Sequence, residues 1–283
     1  MTLDWGVAAL VLLTAILHAS WNAVIKSSGD QLLAMMLVFG TGTLVAGGAL
    51  PFVDVPARAA WPYLGLSVTV HSFYALFLLL SYRFGDLSHV YPIARGLGPL
   101  LVALLSAWLA GEVLSLYQML ALVVVSLAIT SLAFGQRRPG AESLKPIVFA
   151  LCTGIMIGAY TFLDGQGGRH AGSPFSYIAW LIFLDGLPVI GVVLYLRWGS
   201  IGRTLRTQAR TGLIAGVTST VAYSIVIWAM SRSPMALVAS LRETSVIFGA
   251  LIGAVILGEP FGRRRVLAAA VVAAGVIALS LSP

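Results

Sequence analysis

Charged residues are scarce in this sequence. Asp, Glu, Lys and Arg make up 10% of its 283 residues, against roughly 25% in an ordinary soluble domain. So few charges cannot clothe a water-soluble surface. There is one cysteine, Cys152, inside an apolar run. That excludes an intramolecular disulfide and a thiolate metal cluster. No Walker-type phosphate loop occurs, so this chain alone is not expected to run on ATP. No His-Glu-x-x-His and no Gly-x-Ser-x-Gly elbow occurs either, and His18, His71, His89 and His170 lie in separate segments. An intramembrane enzyme is therefore the weakest reading, and neither a cofactor nor a bound metal is expected.

What the chain has instead is apolar length, with 59% hydrophobic residues. Ten stretches of about 20 residues can each cross a bilayer. They run roughly Trp5–Ile25, Leu32–Leu50, Trp61–Tyr82, Leu87–Leu109, Val113–Phe134, Pro146–Leu163, Pro174–Leu196, Thr211–Met230, Pro234–Leu257 and Arg264–Leu281. The connections left over are too short for a soluble catalytic or nucleic-acid-binding domain. The runs are continuous rather than alternating, which argues for helices and against a transmembrane barrel. The first run begins at Trp5 with no basic residue before it, so it is expected to be a span and not a signal peptide.

The net charge of +7 resides in the connections. One side would carry Lys26, Arg83, Arg137, Arg138, Lys145, Arg197, Arg203, Arg206, Arg210, Arg263, Arg264 and Arg265; the other only Arg58, Arg169 and Arg232. The positive-inside rule places the first group in the cytoplasm and both termini outside. The basic residues then neighbour anionic lipid headgroups, and nucleic acid is not needed to explain them.

The chain also repeats itself. Residues 64–112 overlie 211–259 without a gap, pairing Gly65 with Gly212, Ser72 with Ser219, Arg95 with Arg242 and Gly111-Glu112 with Gly258-Glu259. Upstream, Thr14, Ile16 and Trp21 match Thr153, Ile155 and Tyr160, with eight extra residues in the next connection of the second half. The halves are residues 1–138 and 139–283, each of five spans. An odd number inverts the second copy, so the expected fold is an all-α polytopic membrane protein of ten transmembrane helices in two inverted five-helix repeats. Such a pair suits alternating access.

A chain of this plan that carries His18-Ala19-Ser20-Trp21-Asn22, Tyr91-Pro92-Ile93-Ala94-Arg95-Gly96 and a Gly-Glu pair closing spans four and nine resembles the EamA-type members of the drug/metabolite transporter superfamily. The resemblance covers essentially the whole chain. It implies a secondary transporter of the cytoplasmic membrane that moves a small molecule through a central cavity between the halves.

Several residues are candidates for that cavity. Arg95 and Arg242 lie near mid-span at matched positions, where a charge costs about 2.5–3.5 kcal/mol on insertion scales. A guanidinium fork binds carboxylate or phosphate bidentately. Each arginine either contacts an anionic group of the cargo or is neutralised by a protein carboxylate. Asp185 and Glu243 are the candidate carboxylates, and candidates for proton coupling; Glu243 follows Arg242 and is expected to point about 100° away from it. His18, Trp21 and Asn22 share a face of span one, His71 and Tyr74 a face of span three, and Tyr160 is the counterpart of Trp21. Tyr91 lies one turn before Arg95, in a helix expected to bend at Pro92 and Pro99. Glu112 and Glu259 are expected to cap spans five and ten. Gly154/Gly158, Gly212/Gly216 and Gly249/Gly253 read as close helix packing. The expected cargo is a small anionic or zwitterionic metabolite. A lipid-linked phosphosugar, flipped by the same fold, is the alternative, and lateral apolar openings would favour it.

Overall fold

The computed structural model describes residues 4–85, 87–131, 144–255 and 263–281. Among them every regular element is helical. In chain order these are α1 (Trp5–Ser27), α2 (Gln31–Ala49), α3 (Trp61–Phe84), α4 (Leu87–Leu109), α5 (Leu116–Ser131), α6 (Lys145–His170), α7 (Pro174–Met230), α8 (Met235–Arg242), α9 (Ser245–Val255) and α10 (Arg263–Leu281). Six of the described helical stretches are long and apolar enough to cross a membrane: those containing α1, α2, α3, α4, α6 and α7. Their outward faces carry large apolar side chains such as Leu44, Phe73, Leu104, Leu151 and Leu213. That surface suits hydrocarbon and would be a liability in water.

The helix starts follow from side chains that satisfy free backbone N–H groups. Asp4 Oδ1 accepts from Gly6 and Val7, and Asp30 Oδ1 from Leu32 and Leu33. Ser115 and Gln118 form a reciprocal capping box at the entry to α5. Glu112 is used differently from the expected cap on that helix. Its Oε2 accepts from the Met235 N–H at the start of α8, 3.0 Å away, and its Oε1 pairs with Arg169. The corresponding Glu259 lies outside the described residues.

Three expected boundaries change. Spans seven and eight form the single helical run α7, interrupted only at Arg197, where φ is −134° and ψ 18°. The connection between them is itself helical because Ile201 packs onto a small cluster of Leu33, Met36, Leu37 and Val193. Span nine divides instead: α8 ends at Arg242 and α9 starts at Ser245. Between them the backbone tightens to i→i+3 bonds, from Thr244 to Leu241 O, Val246 to Glu243 O and Ile247 to Thr244 O. The expected bend in α4 does not interrupt it; that helix runs through Pro92 and Pro99.

Span six is longer than its hydropathy suggests. α6 continues from Leu163 through Asp164-Gly165-Gln166-Gly167-Gly168 to His170. These glycines permit close approach. A Cβ on Gly167 would lie 2.2 Å from the Tyr177 ring, and one on Gly165 2.4 Å from Met235 Sδ. The same logic holds at Gly154 and Gly158, which face Ala94, Leu97 and Leu101 of α4, and at Gly212 and Gly216, which face Leu37, Val38 and Thr41 of α2. Gly249 faces the Tyr91 ring. Gly167→Ala is expected to lower stability by about 1–3 kcal/mol through overpacking. A thermal melt of the detergent-solubilised protein measures it, and an unshifted midpoint would mean that Tyr177 moves aside freely.

Candidate functional site

Helices α1, α2, α3, α4, α6, α7 and α8 all contribute to one cavity of about 70 Å³. A single water needs roughly 10–15 Å³ of such volume, so the space holds a handful of waters in this conformation. Of the residues expected in the site, His18, Trp21, His71, Tyr74, Arg95, Tyr160, Asp185 and Arg242 line it. Asn22, Tyr91 and Glu243 do not; they stand behind the wall and hold it. Tyr82 donates to Asn22 Oδ1 at 2.9 Å, and Asn22 Nδ2 donates to His18 O at 2.8 Å. The Tyr91 ring lies under the Arg95 guanidinium, 5.1 Å from centroid to Cζ, and its hydroxyl donates to Ser245 Oγ.

Glu243 is the pivot of the cationic wall. Arg95 Nη1 lies 3.4 Å from its Oε1, and Arg242 donates to the same oxygen from Nε at 3.3 Å and Nη2 at 3.2 Å. The expectation that Arg242 and Glu243 diverge is corrected here. The helix stops between them and Ser245, and arginine's long stem lets the guanidinium fold back onto the next residue's carboxylate. Arg242 Nη2 also donates to Thr161 Oγ1 at 3.2 Å. All three charged groups are at most 4% exposed. Two guanidiniums thus share one carboxylate, and the trio keeps one positive charge in excess while Glu243 is ionised.

A second polar hub lies on α6. Asp164 receives hydrogen bonds from Ser67 Oγ at 2.5 Å, from the Tyr177 hydroxyl at 3.0 Å and from the Tyr223 hydroxyl. His71 Nε2 is 4.0 Å from its other oxygen. Since the single Ser67 hydroxyl proton goes to Asp164, His71 Nδ1, 3.1 Å from both Ser67 Oγ and Ser67 O, acts as the donor there. The His71 ring stacks on Tyr160 with centroids 4.0 Å apart, and Tyr223 meets His18, His71 and Tyr160 edge-on. In the sequence Asp164 extends the polar face of Thr153, Tyr160 and Thr161 by one turn without being assigned to the site, and Tyr223 is not singled out. Asp164 lay beyond the expected end of span six, and Tyr223 is one tyrosine in an apolar run. The signal for Asp164 is its spacing of four residues from Tyr160 and three from Thr161, which puts it on their helix face.

His18 is oriented from within its own helix. The Trp21 indole N–H donates to His18 Nδ1 at 3.2 Å, which leaves Nε2 as the proton-bearing nitrogen of a neutral ring. That Nε2 is buried without a partner, and so is Asp185 Oδ1. Both residues line the cavity.

A separate, larger groove of about 900 Å³ lies between α2, α3 and the first part of α7. Phe73, Leu76, Leu79, Val189 and Val192 make it apolar, with Arg83 and Arg197 among its lining. It shares no lining residue with the central cavity.

At the C-terminal end of α6, Arg169 holds three segments. Nε donates to Met230 O and Nη2 to Ser233 O, both at 2.9 Å, while Nη1 pairs with Glu112.

Residues 144–281 match the EamA-like transporter family. A solved crystal structure of another protein is similar over 98% of this chain and 98% of its own, with a TM-score of 0.76 and 17% sequence identity. At that identity the likeness carries the fold alone. No protein with a curated description matches the chain.

Proposed function

We propose that the chain, whose residues 144–281 match the EamA-like transporter family, is a secondary transporter of a small anionic or zwitterionic metabolite, working by alternating access. The observation that carries this reading is the buried pair Arg95 and Arg242 on the wall of the central cavity, both held by Glu243 behind it. One excess positive charge there leaves guanidinium donors for a carboxylate or phosphate oxygen, and water-poor surroundings strengthen such a bond.

The ten-span reading assigns two spans to α7, one to α8 with α9, and one to each remaining helix. Inverted repeats over residues 1–138 and 139–283 are supported by how the helices meet. The first helix of one half, α1, packs against α7, where His18 meets Tyr223, and against α8 and α9, while α6 packs against α3 and α4. These are reciprocal contacts under an exchange of halves. The residue pairs Arg95/Arg242 and Trp21/Tyr160, matched by the internal alignment, meet at the same cavity, as a pseudo-two-fold axis through it requires. The cytoplasmic membrane with both termini outside follows from the distribution of basic residues.

Counterflow tests the proposal. Proteoliposomes preloaded with an unlabelled small carboxylate or phosphate ester from a binding screen are expected to accumulate the labelled compound transiently above its external level. A channel only dissipates the gradient, so tracer that merely equilibrates sinks the carrier mechanism. The lateral groove favours the second reading, a lipid-linked phosphosugar as cargo, because an acyl or prenyl chain fits an apolar gap flanked by arginines. Its separation from the arginine-lined cavity keeps that reading second.

A further inference from the structure

We propose that Asp185 is a cargo-binding residue that takes an ammonium group, so that the transported molecule is a zwitterion whose anionic end lies on the Arg95–Arg242 wall. This rests on the anion-binding cavity proposed above and narrows its cargo.

Asp185 lines the cavity, makes no ion pair among the described residues and leaves Oδ1 buried without a hydrogen-bond partner. A buried carboxyl oxygen with no donor is costly, by about 1–3 kcal/mol or more for a charged group. The other carboxylates of the bundle interior have donors in place: Glu243 has two arginines, and Asp164 has three hydroxyls. Asp185 alone faces the cavity unserved, and a cargo ammonium supplies the missing donors.

The opposite chemistry is also arranged and unused. His18, 4% exposed, turns an unpartnered Nε2–H toward the same space, fixed in that tautomer by the Trp21 indole. Together with Arg95 and Arg242 it provides donors for an anion. Anion donors therefore come from α1, α4 and α8, while the carboxylate comes from α7, where α2 packs. The rings of Trp21, Tyr74, Tyr160 and Tyr223 line the same cavity, and their faces attract a cation. The polarity is built into the repeat. Carrying the alignment offset back through the second span pairs Asp185 with Val38, which lines the same cavity. The first half thus presents a methyl-bearing surface where the second presents a carboxylate, and a two-ended cargo has one preferred direction. The small volume restricts it to a short spacer between its charges.

The test uses purified protein in lipid nanodiscs and two probe series, ω-amino carboxylates and O-phosphorylated amino alcohols of two to four carbons. Each probe is compared by calorimetry with the counterpart that lacks the ammonium. The expected result is at least tenfold tighter binding of the ammonium-bearing member in at least one series. In Asp185→Asn that preference narrows to within about twofold, while the counterpart's affinity is unchanged or improved, which also shows that the variant is folded. Asp185→Glu keeps the charge on a longer arm and should shorten the preferred spacer by one methylene. Equal binding with and without the ammonium in the wild type, or a preference that survives in Asp185→Asn, overturns the assignment. Should Asp185→Asn fail to fold, an unmoved spacer optimum in Asp185→Glu overturns it. Failure of the underlying reading looks different: no member of either series binds, or Arg95→Gln and Arg242→Gln leave the affinity of the ammonium-free counterparts intact.

Discussion

Glu243→Gln is expected to destabilise the protein by about 3–5 kcal/mol, the range for leaving buried charge uncompensated after one partner of a pair is removed. The expectation follows from the shared geometry. Both Arg95 and Arg242 point at this one carboxylate, and the trio is at most 4% exposed. Neutralising it leaves two cations facing each other in low dielectric. Adding Arg95→Gln to Glu243→Gln removes that mutual repulsion, leaves one unpaired cation and should recover part of the loss, a coupling that a double-mutant cycle reads directly. Membrane yield and thermal midpoint of the solubilised protein provide the measurement. A Glu243→Gln protein as stable as wild type would place the counter-charge elsewhere.

The single arginine variants should behave in the opposite way. Arg95→Gln leaves Glu243 paired with Arg242, and Arg242→Gln leaves it paired with Arg95, so each variant stays folded. Each loses charge-assisted contacts to the cargo worth about 2–5 kcal/mol, which is about 30-fold or more in apparent affinity. Initial uptake rates across a concentration series show this as a raised half-saturation constant in both variants. Unchanged uptake in both would remove the arginines from cargo binding; loss of folding in both would make them structural. Arg242 holds Thr161 as well, so its substitution is expected to cost more stability than that of Arg95.

How much of this was legible in sequence varies by element. α1 through α4 follow their apolar runs closely because charge or a cap interrupts them: Asp4, Asp30 and Lys26 stand where the helices turn over. The candidate wall residues were legible for a related reason. A polar face in hydrocarbon must turn inward, and His18, Trp21, His71 and Tyr74 do. The division of span nine was not legible. Glu243 and Thr244 look like two more helical residues, and only tertiary placement of both arginines around one carboxylate explains the tightened turn. The end of span six was misplaced because Gly165, Gly167 and Gly168 look like a terminus. They are instead the sites where Met235, Tyr177 and Ile227 press against the helix, a demand made by neighbours distant in sequence. The same extension moved Asp164 from a connection to the interior, which is why its hub of three hydroxyls went unseen. Glu112 illustrates the limit from the other side. Its proximity to a helix start was evident, but the start it serves is that of α8.

Arg169 ties the start of α8, the end of α7 and the segment before α5 to one flat, rigid ion. Because all three hang from the same side chain, displacing any one of them strains the bonds to the other two. Opening at that end of the molecule is therefore expected to be cooperative.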